Sequence, residues 1–312
     1  MKIVKKLKRQ KFYYYLTHVI IHITPGFFYR NRLKKWLTKD NKYLENRIKY
    51  YISSKITSNP RKDWISIGEF KRPKKGSMYF FDLMKISKYF KKDKKINFTF
   101  GDVTETFDTP TLVKSRPIDH NENSVLMKLD SLRHFNFVND SLSFLEKDDK
   151  IVWRGEIHKE NRRLLVEKFH DHPLCDIGDV STKIWENPHW KKKYLSIQQQ
   201  LNSKFIISIE GIDVATNLKW IMNSNSLCFM PKPKYETWFM EGLLKPNFHY
   251  VLVKDDYSDL LEKRSYYLNN PEKAIKIIEN ANQWAEQFKN NKTEKELSIK
   301  VLHQFFKQTR QA

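Results

Sequence analysis

The sequence predicts an α/β fold with doubly wound, mainly parallel sheets in two halves, preceded by a basic helical arm. Strand-like and helix-like runs alternate from about residue 60 onward, which is typical of parallel sheets covered by helices. The run 204–209 is continuously β-rich, as in strands that are buried on both faces. Hydrophobic residues make up 40% of the 312 residues, so the chain has enough apolar material for two mid-sized domains and is not predicted to be disordered.

The individual elements follow from apolar spacing and from turn and cap residues. In the first half these patterns predict helix 80–90, a charged turn at 91–95 and strand 96–100. In the second half they predict strands 151–153, 204–209, 226–229 and 250–253 and helices 159–169, 195–201, 214–222, 257–268, 271–288 and 294–306. Pro271 suits the first turn of its helix, with Asn269 and Asn270 before it as caps.

Much of the positive charge lies near residue 1. The chain has 58 Lys and Arg against 36 Asp and Glu, and its net charge of +22 favours polyanionic partners. Residues 1–39 contain eleven of these cations and no acid, interleaved with tyrosines and phenylalanines. The apolar stretch 12–29 is interrupted by His18, His22 and Pro25, so it is shorter than the roughly 20 residues that a membrane span needs. This mixture predicts an interfacial anchor on anionic lipid.

The sequence leaves two other interpretations of this arm open. One is a solvated basic helix followed by a buried helix that packs on the body of the protein. The other is nucleic-acid binding, which is disfavoured because the remaining charge of +11 is spread over 273 residues without an arginine cluster or a known binding motif. We therefore expect an anionic membrane surface as a partner and no nucleic acid.

Missing motifs exclude several classes of site. Two cysteines, Cys175 and Cys228, cannot build a disulfide framework and indicate a reducing compartment. None of the eight glycines form a G-x-G pair, so the dinucleotide fingerprint and the P-loop are both absent. There is no D-x-D and no H-E-x-x-H, and two cysteines are too few for a typical structural zinc site. The remaining enzyme classes bind phosphates with side chains and helix ends.

Polar residues follow three of the predicted strands. Asp102 comes after strand 96–100 and Gly101, Glu156 follows the strand that ends at Trp153, and the turn 210–213 follows strand 204–209. In open α/β sheets, ligands bind beyond the carboxyl ends of the strands. These turns are therefore the candidate binding regions.

Four motifs near these turns carry a resemblance to a known family. They are W-R-G-E at 153–156 with Arg162 beyond it, C-D-I-G at 175–178, K-F-I-I-S-I-E-G-I-D-V-A-T-N-L-K-W at 204–220, and P-K-P-K-Y-E-T-W-F-M-E-G-L-L-K-P-N-F-H-Y at 231–250. In this order they resemble glycosyltransferase family 90, which includes bacterial lipopolysaccharide core transferases, fungal capsule xylosyltransferases and animal protein O-glucosyltransferases. The resemblance covers about residues 95–290 and is strongest to the bacterial members.

The resemblance implies a GT-B fold, in which two Rossmann-like domains face each other across a cleft. The expected divisions are the basic arm 1–59, an acceptor domain 60–148, a nucleotide-sugar domain 149–283, and C-terminal helices 284–312 that return to the first domain. It also implies an inverting, metal-independent transfer from a UDP-sugar, with no cofactor. The missing D-x-D agrees, because metal-dependent transferases commonly hold their metal through that motif. Cations and a helix N-terminus would then neutralise the leaving diphosphate.

The expected acceptor is a hydroxyl of a lipopolysaccharide or lipooligosaccharide core, which is a lipid-linked oligosaccharide. The enzyme would be cytoplasmic and peripheral on the inner face of the inner membrane. One alternative is a protein O-glycosyltransferase of the same fold. The other is a basic membrane- or nucleic-acid-binding protein without catalysis.

The resemblance implies that three parts of the chain contribute to the donor site. Arg162 matches an arginine that contacts the donor diphosphate, a role that suits its bidentate and permanently charged guanidinium. The stretch that lines the nucleotide-sugar comprises Val214, Ala215, Thr216, Asn217, Leu218 and Lys219. Lys219 stands where several relatives have arginine, and Glu156 stands where animal relatives have serine. A carboxylate at 156 would repel phosphate, so Glu156 is expected to meet sugar hydroxyls or a base amide, or to pair with Arg162.

Asp102 is the expected catalytic base, by match to an aspartate of the family. An inverting transfer needs a carboxylate that takes the proton of the acceptor hydroxyl as its oxygen attacks the anomeric carbon. Asp108 is the rival candidate, and either aspartate could instead be an ordinary turn residue.

Overall fold

The computed structural model describes residues 2–38, 42–53, 55, 58–182 and 187–311, with side chains from residue 11 onward. The helices are α1 (Lys2–Ile23), α2 (Phe27–Arg30), α3 (Leu33–Leu37), α4 (Lys42–Tyr51), α5 (Ser77–Ser87), α6 (Ser131–His134), α7 (Glu160–Phe169), α8 (Ile197–Gln200), α9 (Leu218–Ile221), α10 (Leu260–Asn269), α11 (Pro271–Glu286) and α12 (Asn291–Gln308). Single 3-10 turns lie at Phe144–Glu146, Pro188–Trp190 and Glu241–Leu243.

The strands are shorter than most of the helices and lie mainly in the middle of the chain. They are β1 (Ile65–Ser66), β2 (Lys95–Ile96), β3 (Thr111–Val113), β4 (Ser115–Pro117), β5 (Ser124–Leu126), β6 (Asp148–Gly155), β7 (Cys175–Asp179), β8 (Ser203–Ile207), β9 (Leu227–Met230), β10 (Tyr235–Thr237) and β11 (Val251–Leu252). With the helices, they give a mixed α/β protein that contains a parallel sheet of five strands.

The chain divides into two compact units. Unit 1 consists of the described residues of 1–134, 235–238 and 290–312, and unit 2 of those of 135–234 and 239–289. The first division falls after residue 134, whereas the sequence placed a domain boundary at 148. Of the last two helices, α11 belongs to unit 2 and α12 to unit 1.

Unit 2 is built on the five-stranded parallel sheet, whose strand order is β11-β9-β8-β6-β7. The strands at 151–153, 204–209, 226–229 and 250–253 were predicted, and they form here with shifted ends. The chain runs from β6 to β7 on one side and then returns to place β8 on the other side of β6. Such a reversal is a topological switch point, where open α/β sheets bind their ligands.

The core of unit 2 consists of the sheet's buried side chains and the helices that cover them. Phe205, Phe229 and Ile207 of the central strands are fully buried, as the continuous apolar run predicts for a two-sided sheet. Leu165 and Val166 of α7 pack into the same cluster. Burial of this apolar surface stabilises the unit by roughly 25 cal/mol per Å².

Unit 1 differs from the expected Rossmann-like domain. Its described strands pair only in twos, as antiparallel β1-β2 and β10-β4 and parallel β3-β5. The predicted strand 96–100 forms only at its first residue, followed by an isolated bridge between Phe98 and Leu112. These strands are two or three residues long, so helices α4, α5 and α12 supply much of the packing.

A buried polar network joins distant parts of the chain within unit 1. Glu294 of α12 pairs with Arg47 of α4 at 2.8 Å and with Lys128 at 3.1 Å, and it accepts a hydrogen bond from the Trp238 indole. Arg116 of β4 pairs with Glu236 of β10 at 2.7 Å. Because buried charges are strongly destabilising when unpaired, these pairs explain why 235–238 and α12 belong to this unit.

Candidate functional site

A cavity of about 110 Å³ opens at the carboxyl edge of the unit 2 sheet. Its lining comes from the segments that follow β8, β9 and β11 and from α7, and it comprises Asn161, Ser208, Ile209, Glu210, Val214, Ala215, Leu218, Met230, Pro231, Lys232, Pro233, Lys234, Glu241, Asp255 and Tyr257. The location obeys the carboxyl-edge rule and lies beside the switch point. Ligand pockets usually measure about 300–1,000 Å³, so this cavity has room for only one part of a larger ligand.

Arg162 spans the switch point beside the cavity. Its guanidinium donates to the backbone oxygens of Ile209 at 2.9 Å, Glu210 at 3.1 Å and Glu156 at 3.3 Å. Burial lowers the pKa of Arg162, opposed by nearby acidic groups, and the residue is not among those that line the cavity. The guanidinium therefore fixes the chain after β6 to the chain after β8.

Gly211 is needed beside this guanidinium. A methyl group at residue 211 would lie 2.9 Å from the Arg162 Nη2 atom, closer than such atoms pack. Because the guanidinium is held by carbonyl oxygens, it has little freedom to withdraw. The glycine in the E-G-I-D turn is thus explained by the close approach of Arg162.

Only part of the predicted donor stretch faces the cavity. Val214, Ala215 and Leu218 line it, whereas Thr216 is exposed. The predicted helix 214–222 forms only at Leu218–Ile221, because the Asn217 amide donates to the Ile207 carbonyl at 3.0 Å and holds the preceding residues in turns. A four-residue helix offers no substantial N-terminal dipole, so the expected helix-end site for phosphate is not formed here.

Lys219 lies beneath the cavity, in an ion pair that is almost completely buried. Its ammonium donates to Glu241 at 2.5 Å, and the two side chains are 0% and 1% exposed. The same ammonium lies 5.6 Å from the centre of the Phe239 ring. Glu241 lines the cavity, so the ion pair connects Lys219 to the lining of the site.

Two lysines at the rim of the cavity were not among the predicted site residues. Lys232 and Lys234 are exposed, line the cavity, and follow β9 directly. The Glu210 carboxylate accepts a hydrogen bond from the Lys234 amide at 3.0 Å, which fixes this segment to the chain after β8. Their signal was present in the sequence, because the P-K-P-K run comes after the predicted strand 226–229.

Tyr257 also lines the cavity and was not predicted. Its side chain is fully buried, and its hydroxyl has no hydrogen-bond partner in the described structure. Burial raises the pKa of this phenol well above its usual range, and Asp255 raises it further. A buried hydroxyl without a partner is costly, so a polar ligand atom would be a favourable partner for it.

The expected catalytic base lies in unit 1. Gly101 has a φ of 117°, a conformation that favours glycine, and it directs the chain into Asp102. The Asp102 carboxylate pairs with the buried Lys114 ammonium at 2.5 Å and is 28% exposed. Its rival Asp108 is exposed in a loop. The ion pair fixes Asp102 in position while leaving part of the carboxylate accessible.

Glu156 does not pair with Arg162 through its carboxylate. The side chain is 63% exposed, and its carboxylate lies 4.0 Å from the His158 ring. The backbone oxygen of Glu156 accepts a hydrogen bond from the guanidinium. The carboxylate is therefore accessible from the solvent side, next to His158.

In the described part of the chain, no cluster of three or more His, Cys, Asp or Glu side chains is arranged to hold a metal ion. In the same residues, every helix is too short or too polar to cross a membrane.

Comparison with known proteins assigns the family. The model for Glycosyl transferase family 90 matches residues 126–310, more than half of the chain. The chain belongs to this family. The match includes Glu156, Arg162 and the stretch 214–219, whereas Asp102 and Asp108 lie before it.

Several relatives of the chain are named as glucosyltransferases. O-glucosyltransferase LpsA of Dichelobacter nodosus is 43% identical over 264 residues, which are 84% of this chain and 82% of that protein. Protein O-glucosyltransferase 3 of Homo sapiens and that of Rattus norvegicus are each 29% identical over 144 residues, or 45% of this chain and 28% of those proteins. The resemblance seen in the motifs is thereby confirmed, and the protein is a glycosyltransferase.

Replacing Arg162 with alanine is expected to weaken UDP binding by about 1.5–3 kcal/mol, or roughly tenfold to 150-fold. The carbonyls of Ile209 and Glu210 lose their donor, so the loop that lines the cavity is released. Calorimetric titration with UDP measures the change. Arg163→Ala is the matched control, because its guanidinium pairs with the exposed Glu160 on the surface of α7. Unchanged UDP affinity in Arg162→Ala would remove this residue from the donor site.

Proposed function

We propose that the enzyme transfers a hexose, with glucose as the first candidate, from a UDP-sugar to a hydroxyl of a lipopolysaccharide or lipooligosaccharide core. The main support for this proposal is the cavity at the switch point of the parallel sheet. Residues of the motifs that resemble the family line this cavity, and two exposed lysines lie at its rim. The names of the relatives support glucose as the sugar. The resemblance to the bacterial members supports the lipid-linked acceptor.

The proposed reaction is a single inverting displacement. The acceptor oxygen attacks the anomeric carbon, the bond from that carbon to the phosphate oxygen breaks, and UDP leaves with the bonding electron pair. Asp102 accepts the proton of the acceptor hydroxyl. Lys232 and Lys234 lie at the rim of the cavity, and in this proposal they stabilise the charge that develops on the diphosphate without a metal ion.

We assign supporting roles to three further cavity residues. Ala215 leaves room for the donor close to the backbone, and the Tyr257 hydroxyl is available to one of its polar atoms. Arg162 joins the chain after β6 to the chain after β8, which lines the cavity. In this arrangement most of the donor contacts come from segments that follow strands, as the sheet topology favours.

We propose a GT-B architecture for the chain, with unit 2 as its nucleotide-sugar domain. The five-stranded parallel sheet and its switch point support this assignment for unit 2. Unit 1, which contains Asp102, would be the acceptor domain. Its short paired strands then represent a departure from the Rossmann-like pattern.

A panel of UDP-sugars, read by mass spectrometry in the presence of EDTA, tests the donor. UDP-glucose is expected to be hydrolysed slowly to glucose and UDP.

A second experiment measures the UDP affinity of variants at the rim of the cavity. The Lys232→Met/Lys234→Met variant is expected to bind UDP about tenfold more weakly than the wild type. The control is Lys263→Met/Lys276→Met, which removes two lysines that pair with acids three or four residues away in sequence.

Donor turnover, UDP affinity and the effect of EDTA each test a different part of the proposal. If no UDP-sugar is turned over and UDP does not bind, the proposed donor class is wrong. If UDP binds equally to the wild type and to the Lys232→Met/Lys234→Met variant, the cavity does not hold the diphosphate. Loss of turnover in EDTA that added Mg²⁺ or Mn²⁺ restores would contradict metal independence.

A further inference from the structure

Helix α1 is fixed to unit 1 by one of its faces. The Tyr14 hydroxyl donates to Asp82 of α5 at 2.8 Å, and the Tyr15 hydroxyl hydrogen-bonds with Ser77 at 3.1 Å. His18 is buried on the same side, 3.6 Å from Asp82. At the end of the helix, the Lys88 ammonium donates to three backbone oxygens of residues 21, 22 and 24. Residues 14–24 are thus packed on unit 1 through a defined inner face.

The opposite face of α1 and the short helix α2 expose a row of large apolar side chains. We call it the apolar row: Phe12, Tyr13, Leu16, Val19, Ile20, Ile23, Phe27 and Phe28, which are 44–72% exposed. Their spacing of three and four residues places those of α1 along one side of the helix. Contiguous exposed apolar surface of this kind marks an interaction site rather than ordinary surface.

The charge around the apolar row decides between its candidate partners. Residues 1–39 carry eleven cations and no acid, and Lys11, Arg32, Lys34 and Lys35 are exposed close to the row in sequence. A second copy of the chain would bring another eleven cations against these, which disfavours self-association. An anionic lipid surface complements both the charge and the apolar side chains.

We propose that the apolar row lies in the headgroup region of an anionic membrane, with α1 parallel to the membrane surface and its inner face still packed on α5. The sequence alone predicts that the basic arm contacts the membrane with its tyrosines and phenylalanines, without separating its faces. The structure turns Tyr14 and Tyr15 towards the protein and adds residues 16, 19 and 23 to the inserting face. Packing and membrane binding are therefore roles of two different faces.

Substitution within the apolar row tests this proposal better than truncation. A chain without residues 1–39 would lose the contacts of Tyr14, Tyr15 and His18 with unit 1, and its behaviour would report folding. Phe12→Gln/Ile20→Gln/Ile23→Gln changes three side chains that are 63, 53 and 72% exposed. Glutamine keeps a helix propensity at least as high as that of the residues it replaces.

A matched control comes from unit 2. Leu145→Gln/Tyr194→Gln/Phe248→Gln changes three side chains that are 61, 69 and 49% exposed, so it removes similar apolar surface elsewhere. The full-length proteins are sedimented with vesicles of phosphatidylcholine, either pure or with about one third phosphatidylglycerol, at low and high salt. The assay uses no sugar donor, so its result is independent of the proposed reaction.

The wild type and the control variant are expected to sediment with the anionic vesicles and not with the neutral ones. High salt should weaken their binding, but a fraction of the protein should stay bound, because salt does not screen the insertion of apolar side chains. The apolar-row variant should bind at least tenfold more weakly with an unchanged melting temperature. Equal binding of the two variants would overturn the proposal, as would a wild-type dimer in light scattering that the row substitutions dissociate.

Discussion

Asp102→Asn is expected to lower the rate of sugar transfer by about 10²–10⁴-fold, the usual contribution of a general base. Asparagine has nearly the same shape and can still accept a hydrogen bond from Lys114, which now pairs with the aspartate at 2.5 Å. It cannot take the proton of the acceptor hydroxyl. The initial rate with a saturating donor measures the loss, and calorimetry is expected to give a UDP affinity within a few-fold of the wild type, because the cavity that we propose for the donor is lined by unit 2.

The control for this prediction is Asp108→Asn. Asp108 is exposed in a loop, and its substitution should leave the transfer rate within about twofold. A melting curve of Asp102→Asn separates catalysis from folding, since the variant leaves the buried Lys114 ammonium with a weaker partner. If Asp102→Asn keeps more than about a tenth of the wild-type rate, Asp102 is not the base. If Asp108→Asn then loses activity, the rival takes that role.

Local sequence patterns predicted those helices and strands that form because of the preferences of their own residues. The apolar run at 204–209 gave β8, and Pro271 marked the first residue of α11. Strand β7 was missed because polar residues interrupt its pattern. The Asp176 carboxylate in this strand pairs with Arg154 of the neighbouring β6 at 2.7 Å, so an ion pair between strands stabilises a segment that does not look like a strand.

Tertiary contacts explain the differences at the candidate site. Residues 214–217 have helical spacing, yet Asn217 bonds to the Ile207 carbonyl of β8 and keeps them in turns. The partner of Lys219 is Glu241, 22 residues along the chain, and no local pattern joins the two. The rim lysines Lys232 and Lys234 follow β9, so the rule about strand ends could have found them. For locating the candidate site, the rule that ligands bind beyond the carboxyl ends of parallel strands was therefore more informative than helical periodicity.

Lys219→Met is expected to destabilise the protein by about 3–5 kcal/mol, because it leaves the Glu241 carboxylate buried without its cation. At roughly 2–4 °C per kcal/mol for a domain of this size, the melting temperature should fall by about 6–20 °C. The control, Lys276→Met, breaks an exposed pair with Glu279, and such pairs contribute roughly 0–1 kcal/mol. Calorimetric melting of the two variants gives the comparison.

The double variant Lys219→Met/Glu241→Leu separates a structural role of this pair from a direct role in donor binding. Removing both charges takes away the buried carboxylate that has lost its lysine, so most of the lost stability should return. If Lys219 supports the cavity wall only through Glu241, the double variant should also recover most of its UDP affinity. If Lys219→Met keeps its stability and loses UDP affinity, the ammonium acts on the donor directly, as the family resemblance implies. A double variant that is stable but still binds UDP weakly would mean that the pair itself shapes the electrostatics of the cavity, since Glu241 lines it.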